Sequence, residues 1–175
     1  EKKSSFKKYD LYFPGQYRDE KFGTNFLNFI KMNDDKNYRF IINEKFKYYK
    51  KRNFKLKLIK TNLTHKSYIS YIKKSQLIIL PYTSKLYKFR TSGIFIECIS
   101  IAKPILVTEG TWMASEYKKF NLNELIVKDW SKYNLKSNLK IIFSKKIKVK
   151  LFKIQKKYKE FHNMYKYANI LENNL

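Results

Sequence analysis

One cysteine, two histidines and 14 carboxylates among 175 residues are the scarcities of this chain, and each closes off a class of chemistry. The lone thiol, Cys98, has no disulfide partner, and its neighbours Phe95, Ile96, Ile99 and Ile101 mark it as a reduced core residue suited to the cytosol. His65 and His162 lack the spacing of metal ligands, so no metal site is expected. No apolar run approaches the length that spans a bilayer, and no secretory leader pattern occurs within the chain. There is no Walker loop, and Thr91-Ser92-Gly93 is not a nucleophile elbow. Zinc-finger, RNP and helix-turn-helix patterns are missing too, as are internal repeats.

What the chain has in excess is positive charge and aromatic rings: 39 Lys plus Arg, a net charge of +25, 15 Tyr and 14 Phe. A basic, aromatic surface suits nucleic acid, so a basic nucleic-acid-binding domain is the main alternative function. Against it, the lysines are spread along the whole chain and travel with Asn, Ile, Tyr and Phe, the residues of AT-rich codons. Stretches such as Lys31 to Lys36 and Lys132 to Lys140 read as solvated loops or helix faces. The densest basic and apolar segment, Lys145 to Lys159, suits either an anionic membrane surface or a helix that packs its apolar side on the domain.

The stretch Leu77 to Met113 carries the most information. Leu77 to Leu80 is a short continuous apolar run, as in a parallel strand buried on both faces, and Pro81 ends it. A polar loop from Tyr82 to Arg90 follows, with Lys85, Lys88 and Arg90. Ser92 then stands as a helix N-cap with Gly93 just inside, where no Cβ would obstruct an anion approaching the amides. Such a helix start aims unpaired N–H groups and a positive dipole end at an anion, phosphate above all. Glu97 lies one helical turn further, in a helix apolar nearly all round, and a carboxylate there needs partners. It suits sugar hydroxyls of a nucleotide, or else a structural pairing with Arg90 or a backbone amide.

The remaining chain alternates strands and helices. Tyr38 to Ile42 and Lys55 to Ile59 read as strands. Glu20 to Met32 reads as a helix with weak points at Gly23 and Asn25, and Thr64 as the cap of a helix to about Ser75. A strand at Pro104 to Val107, a helix from the Gly110-Thr111-Trp112-Met113 turn through Phe120, and a last strand at Leu125 to Val127 follow. From about Lys132 the pattern is helical to the end, in more than one piece. This alternation predicts an α/β fold: one Rossmann-like domain, a mostly parallel sheet with helices on both faces, and a helical C-terminus. Loops after the first strand, after Leu80 and after Val107 then share one edge.

The combination of Pro81-Tyr82, Phe89-Arg90-Thr91-Ser92-Gly93-Ile94-Phe95-Ile96-Glu97 and Ala102-Lys103-Pro104-Ile105-Leu106-Val107-Thr108-Glu109-Gly110-Thr111-Trp112-Met113 resembles the C-terminal, donor-binding half of GT-B glycosyltransferases of the family 4 type, "glycosyl transferases group 1". Leu11 to Gly23 is similar to that family's first strand and its basic glycine-containing loop. The likeness runs roughly from Lys8 to Asp129. It departs at Ala102, where glycine is customary, and at Phe89, where the first of two glutamates commonly stands.

The resemblance implies one half of a GT-B fold. Residues 1–131 would form the nucleotide-sugar-binding domain and residues 132–175 a helical segment packing on it. It implies that Arg18, Lys21, Ser92 and Gly93 hold the donor diphosphate and Glu97 the ribose. Gly15, Tyr82, Arg90, Thr91, Gly110 and Thr111 are secondary candidates of the donor cleft. The catalytic group and the residue touching the sugar stay open. The substrate implied is a nucleotide-diphosphate sugar of the UDP or GDP type, with no metal and no further cofactor. The acceptor implied is a cell-envelope or lipid-linked glycan, bound by an N-terminal domain outside this chain, and the chain is expected to be a fragment of a longer protein or a split gene product, inactive alone. Expected partners are the nucleotide sugar and an anionic membrane surface rather than a specific nucleic acid. The expected location is cytoplasmic, with peripheral attachment to the cytoplasmic membrane face.

Overall fold

The computed structural model describes residues 9–16, 18–46 and 55–161. His162 and the rest of the C-terminal stretch, and Tyr17 of the basic loop, lie outside the described residues. Six strands, β1 (Tyr9–Tyr12), β2 (Tyr38–Asn43), β3 (Lys55–Ile59), β4 (Leu77–Leu80), β5 (Ile105–Thr108) and β6 (Ile126–Val127), form one sheet. Its order is β3-β2-β1-β4-β5-β6, with every pairing parallel. Parallel strands need helical crossovers on both faces, which is why Leu77 to Leu80 and Ile105 to Val107 are wholly buried. Each such side chain contributes about 1.5–3 kcal/mol by leaving water. The edge strand β3 instead exposes Lys55 and Lys57, charges that discourage edge-to-edge pairing.

The helices are α1 (Asp19–Phe22), α2 (Asn25–Met32), α3 (His65–Lys74), α4 (Ser84–Tyr87), α5 (Gly93–Ser100), α6 (Trp112–Lys119), α7 (Leu135–Ile142) and α8 (Lys145–Phe161). One face of the sheet is aromatic: Phe13 lies edge-on to Phe26 at 4.5 Å, and Phe29 of α2 lies edge-on to Trp130 at 5.3 Å. Buried Asn33 ties this face to the segment entering α7. Its amide donates to the carbonyls of Phe29 and Tyr133, both at 2.9 Å, and its Oδ1 accepts from the Leu135 N–H at 2.6 Å. The other face carries α3 and α5, with α6 and α8 beside α5; Phe95 packs edge-on against Trp112 and Tyr117.

Two expectations change. The helix expected over Glu20 to Met32 is two helices, because Gly23 takes φ +51° and a Cβ there would sit 3.0 Å from Thr83 Cγ2. The loop Tyr82 to Arg90 contains the single turn α4, which buries Tyr87. Ala102, in the place customary for glycine, has φ +52°. It closes α5 with a Schellman pair: Ala102 N–H donates to Ile99 O at 2.9 Å and Lys103 N–H to Cys98 O at 3.0 Å. Lys103 next to it reaches the end of α3, donating to the carbonyls of Lys73 and Ser75 at 2.9 and 2.7 Å.

Candidate functional site

The strand order reverses between β1 and β4, since β1 leads outward to β2 and β4 to β5. In open parallel sheets the crevice at the carboxyl ends of such neighbours is the ligand site. Here the two loops over it are Pro14-Gly15-Gln16 after β1 and Pro81-Tyr82 after β4, with the start of α5 between them. A Cβ on Gly15, which has φ +90°, would lie 3.2 Å from Ile94 Cδ1 and 3.4 Å from Lys21 Nζ. The positive φ favours glycine there, and a Cβ would press on the ends of both side chains. Residues 15 and 21 of the basic loop therefore meet residue 94, far along the chain.

Hydrogen bonds tie the basic loop and the start of α2 to the loop after β4. Thr83 N–H donates to Lys21 O at 2.9 Å, and Asn25 Nδ2 donates to Pro81 O at 3.3 Å. Lys21 Nζ stands 4.1 Å from the centroid of the Tyr82 ring, over its face. Tyr82 stacks obliquely on Tyr87 at 4.4 Å, and the Arg90 guanidinium lies 5.7 Å from the Tyr87 centroid. Burial lowers the Lys21 pKa to about 8, and the charges of Arg18 and Arg90 push it the same way. Among the described residues none of these three cations has a carboxylate within 4 Å. Three mutually repelling cations beside a helix N-terminus form a site with a deficit of negative charge.

The cap at Ser92 is as expected. Its hydroxyl accepts from Phe95 N–H at 3.3 Å and is buried, so the side chain holds the helix and leaves the first amides to face outward. The space beside Gly93 is open: a Cβ would meet nothing within 4 Å. Thr91 is exposed at this rim. Tyr82 is itself buried beneath Lys21, and burial, with Tyr87 adding to it, raises its phenol pKa well above the ordinary value. It serves as a platform rather than a reachable ligand group.

Glu97 has a partner that the residue pattern did not reveal. The Tyr68 hydroxyl of α3 donates to Glu97 Oε2 at 2.7 Å, replacing the structural alternatives of Arg90 or a backbone amide. Burial and this bond together raise the Tyr68 pKa. Glu97 Oε1 meets no donor among the described residues. Tyr68 also lines a cleft of about 140 Å³ with Tyr12, Gly15, Gln16, Asn43 and Thr61, at the carboxyl ends of β1 to β3. Asn43 and Thr61 were not legible beforehand as site residues; a polar residue ending a buried strand, Asn43 in Phe40-Ile41-Ile42-Asn43, was the available signal.

The segment after β5 behaves differently. Gly110 takes φ +76° and packs against Ser84, where a Cβ would come within 3.3 Å. The Thr111 hydroxyl donates to Thr108 O at 2.7 Å and accepts from Ala114 N–H at 3.3 Å, wholly buried. Thr111 is thus a helix cap whose hydroxyl is already engaged. No group of three His, Cys, Asp or Glu side chains among the described residues is arranged to hold a metal ion.

A doubly wound parallel sheet with a cationic crevice at its switch point defines a Rossmann-like α/β domain, and the fold is that of GT-B glycosyltransferase domains. The structure matches the catalytic domain of cholesterol-alpha-glucosyltransferase from Helicobacter pylori with a TM-score of 0.59 and 11% identity, over 87% of this chain and 98% of that one. It also matches the glycotransferase of kitacinnamycin with a TM-score of 0.62 and 7% identity, over 99% of this chain and 45% of that one. No protein-family model matches the sequence. No curated protein matches it in sequence either.

Proposed function

We propose that this chain is the donor-binding half of a glycosyltransferase that moves a sugar, of the hexosyl type, from a nucleotide-diphosphate sugar to an acceptor. The observation that carries the reading is the Arg18, Lys21 and Arg90 cluster, lacking carboxylate partners among the described residues, beside the open N-terminus of α5. A diphosphate supplies the missing negative charge there. Arg offers a planar fork for two oxygens and Lys a mobile point charge, while the Gly93 end of α5 adds backbone donors. Glu97, oriented by Tyr68, keeps one carboxylate oxygen for a ribose hydroxyl. The cleft lined by Asn43, Thr61 and Tyr68 takes the base side of a UDP- or GDP-type donor.

Catalysis on this reading comes from positive charge that stabilises the departing nucleoside diphosphate. The acceptor, a cell-envelope or lipid-linked glycan, is held by an N-terminal domain outside this chain, and the isolated chain binds nucleotide without transferring sugar. Calorimetric titration of the full chain with UDP, GDP and their sugars tests this. Arg18→Ala and Glu97→Gln should each weaken binding by about tenfold or more, as expected for a lost charge-assisted bond. Absence of binding to the folded wild-type chain overturns the assignment. A nucleic-acid role would instead give a steep salt dependence that survives both substitutions.

A further inference from the structure

We infer that the outward face of α8 is a docking surface for an anionic phospholipid bilayer. The helix buries Ile147, Leu151 and Ile154 against the domain, a stripe at helical spacing. Packing is fixed by Gln155 Nε2, which donates to Ser100 O at 2.7 Å, and by the Tyr158 hydroxyl, which donates to Glu116 Oε2 at 2.8 Å. The opposite side of the helix nevertheless carries Val149 and Phe152, three residues apart and 46% and 49% exposed. The two side chains form a small apolar patch in the middle of a lysine-rich face.

The lysines of α8 divide into two sets. Lys146 and Lys150 turn toward Glu124, at 3.8 and 3.1 Å, and Lys156 lies 3.9 Å from Glu160. Lys145, Lys148, Lys153, Lys157 and Lys159 are exposed and have no carboxylate within 4 Å among the described residues. Of these, Lys145, Lys148 and Lys153 lie within about one helical turn of Val149 or Phe152, and Lys148 Nζ lies 5.9 Å from the Phe152 centroid. Polyanions in general would satisfy the lysines. Only a partner with an apolar layer beneath an anionic surface satisfies the two apolar side chains as well, with the lysine stems snorkelling to the headgroups.

On the inner side of the same helix, Tyr158 and Phe161 line a hollow of about 630 Å³ together with Thr91 and Trp112, away from the outward face. The docking does not depend on the donor-site reading.

The test is co-sedimentation of the full chain with phosphatidylcholine vesicles, with and without about one third phosphatidylglycerol. The expected result is binding to the anionic vesicles alone, declining as salt shortens the reach of the charges. A Val149→Ser/Phe152→Ser double variant and a Lys148→Gln/Lys153→Gln double variant should each lower partitioning about tenfold. A Lys66→Gln/Lys74→Gln double variant, removing two exposed lysines of α3, should leave it nearly unchanged. Equal loss in the α3 variant, or no loss in either α8 variant, overturns the proposal. So does α8-dependent binding of single-stranded RNA without vesicle binding. Nucleotide titration of the same variants keeps this outcome separate from that of the donor site, since none of the substituted residues lines it.

Discussion

Helices α5 and α8 pack against each other and treat charge in opposite ways. The eight residues of α5 include no lysine, and its ends are fixed by the Ser92 cap and the Ala102 Schellman turn. The 17 residues of α8 bury only three side chains and send most of their lysines to water. At the start of α5, Lys21 is half-sunk over the Tyr82 ring with the exposed Arg90 beside Tyr87, while on α8 the exposed Lys148 stands beside an exposed phenylalanine. The number of lysines therefore says little about function here. Their desolvation and mutual repulsion say much more, because a cation is a specific anion site only where water cannot compensate it.

The largest effect should come from exchanging a sunken lysine and a free one. Lys21→Ala should weaken nucleoside diphosphate binding by about a hundredfold, a loss of near 3 kcal/mol for a desolvated charge-assisted contact, whereas Lys153→Gln should leave it unchanged. Titration calorimetry of both variants checks this, and equal effects would dissolve the contrast.

A pH series sharpens it further. With its pKa lowered to about 8, Lys21 loses its proton in the unliganded protein as pH rises through that value, so diphosphate affinity should fall between pH 7 and pH 9.5. Lys21→Arg should flatten that profile, because guanidinium stays charged. Stability should move the other way. Between about 8 and the ordinary 10.5 the folded state binds fewer protons at Lys21 than the unfolded one. The charged lysine destabilises the fold fully below that window, and the penalty fades as pH rises across it. The melting temperature of the wild type relative to Lys21→Gln, followed across that range, gives the sign.

The smallest effect lies at the far end of α5. Ala102 holds a left-handed conformation at φ +52°, so Ala102→Gly should stabilise the fold by about 1 kcal/mol without touching nucleotide binding. Urea denaturation measures it. A destabilised variant would mean that loss of unfolded-state stiffness outweighs relief of strain.

Much of the framework was legible residue by residue. Leu77 to Leu80, Ser92 and Thr64 announced their strand and caps because a buried parallel strand and an N-cap depend on near neighbours in sequence. The break at Gly23 was visible only as a weak point, since Thr83, sixty residues away, supplies the crowding that demands glycine. The turn α4 was hidden inside a polar loop because Tyr87 finds its burial against Tyr82. Thr111, open in the sequence between a helix cap and a secondary place in the cleft, is a buried cap in the structure.

The sequence by itself determined the alternation of strands and helices, the helix starts and the residues able to carry charge, because these rest on periodicity and on side chains within one turn of each other. Only the tertiary structure decided that Arg18, Lys21 and Arg90 crowd into one crevice, that Tyr68 claims one oxygen of Glu97, and that the lysines of α8 divide between Glu124 and the outer face. The reason is physical. A charge acquires its meaning from the solvent it has lost and the groups it meets, and both are set by chain segments brought together across the sheet.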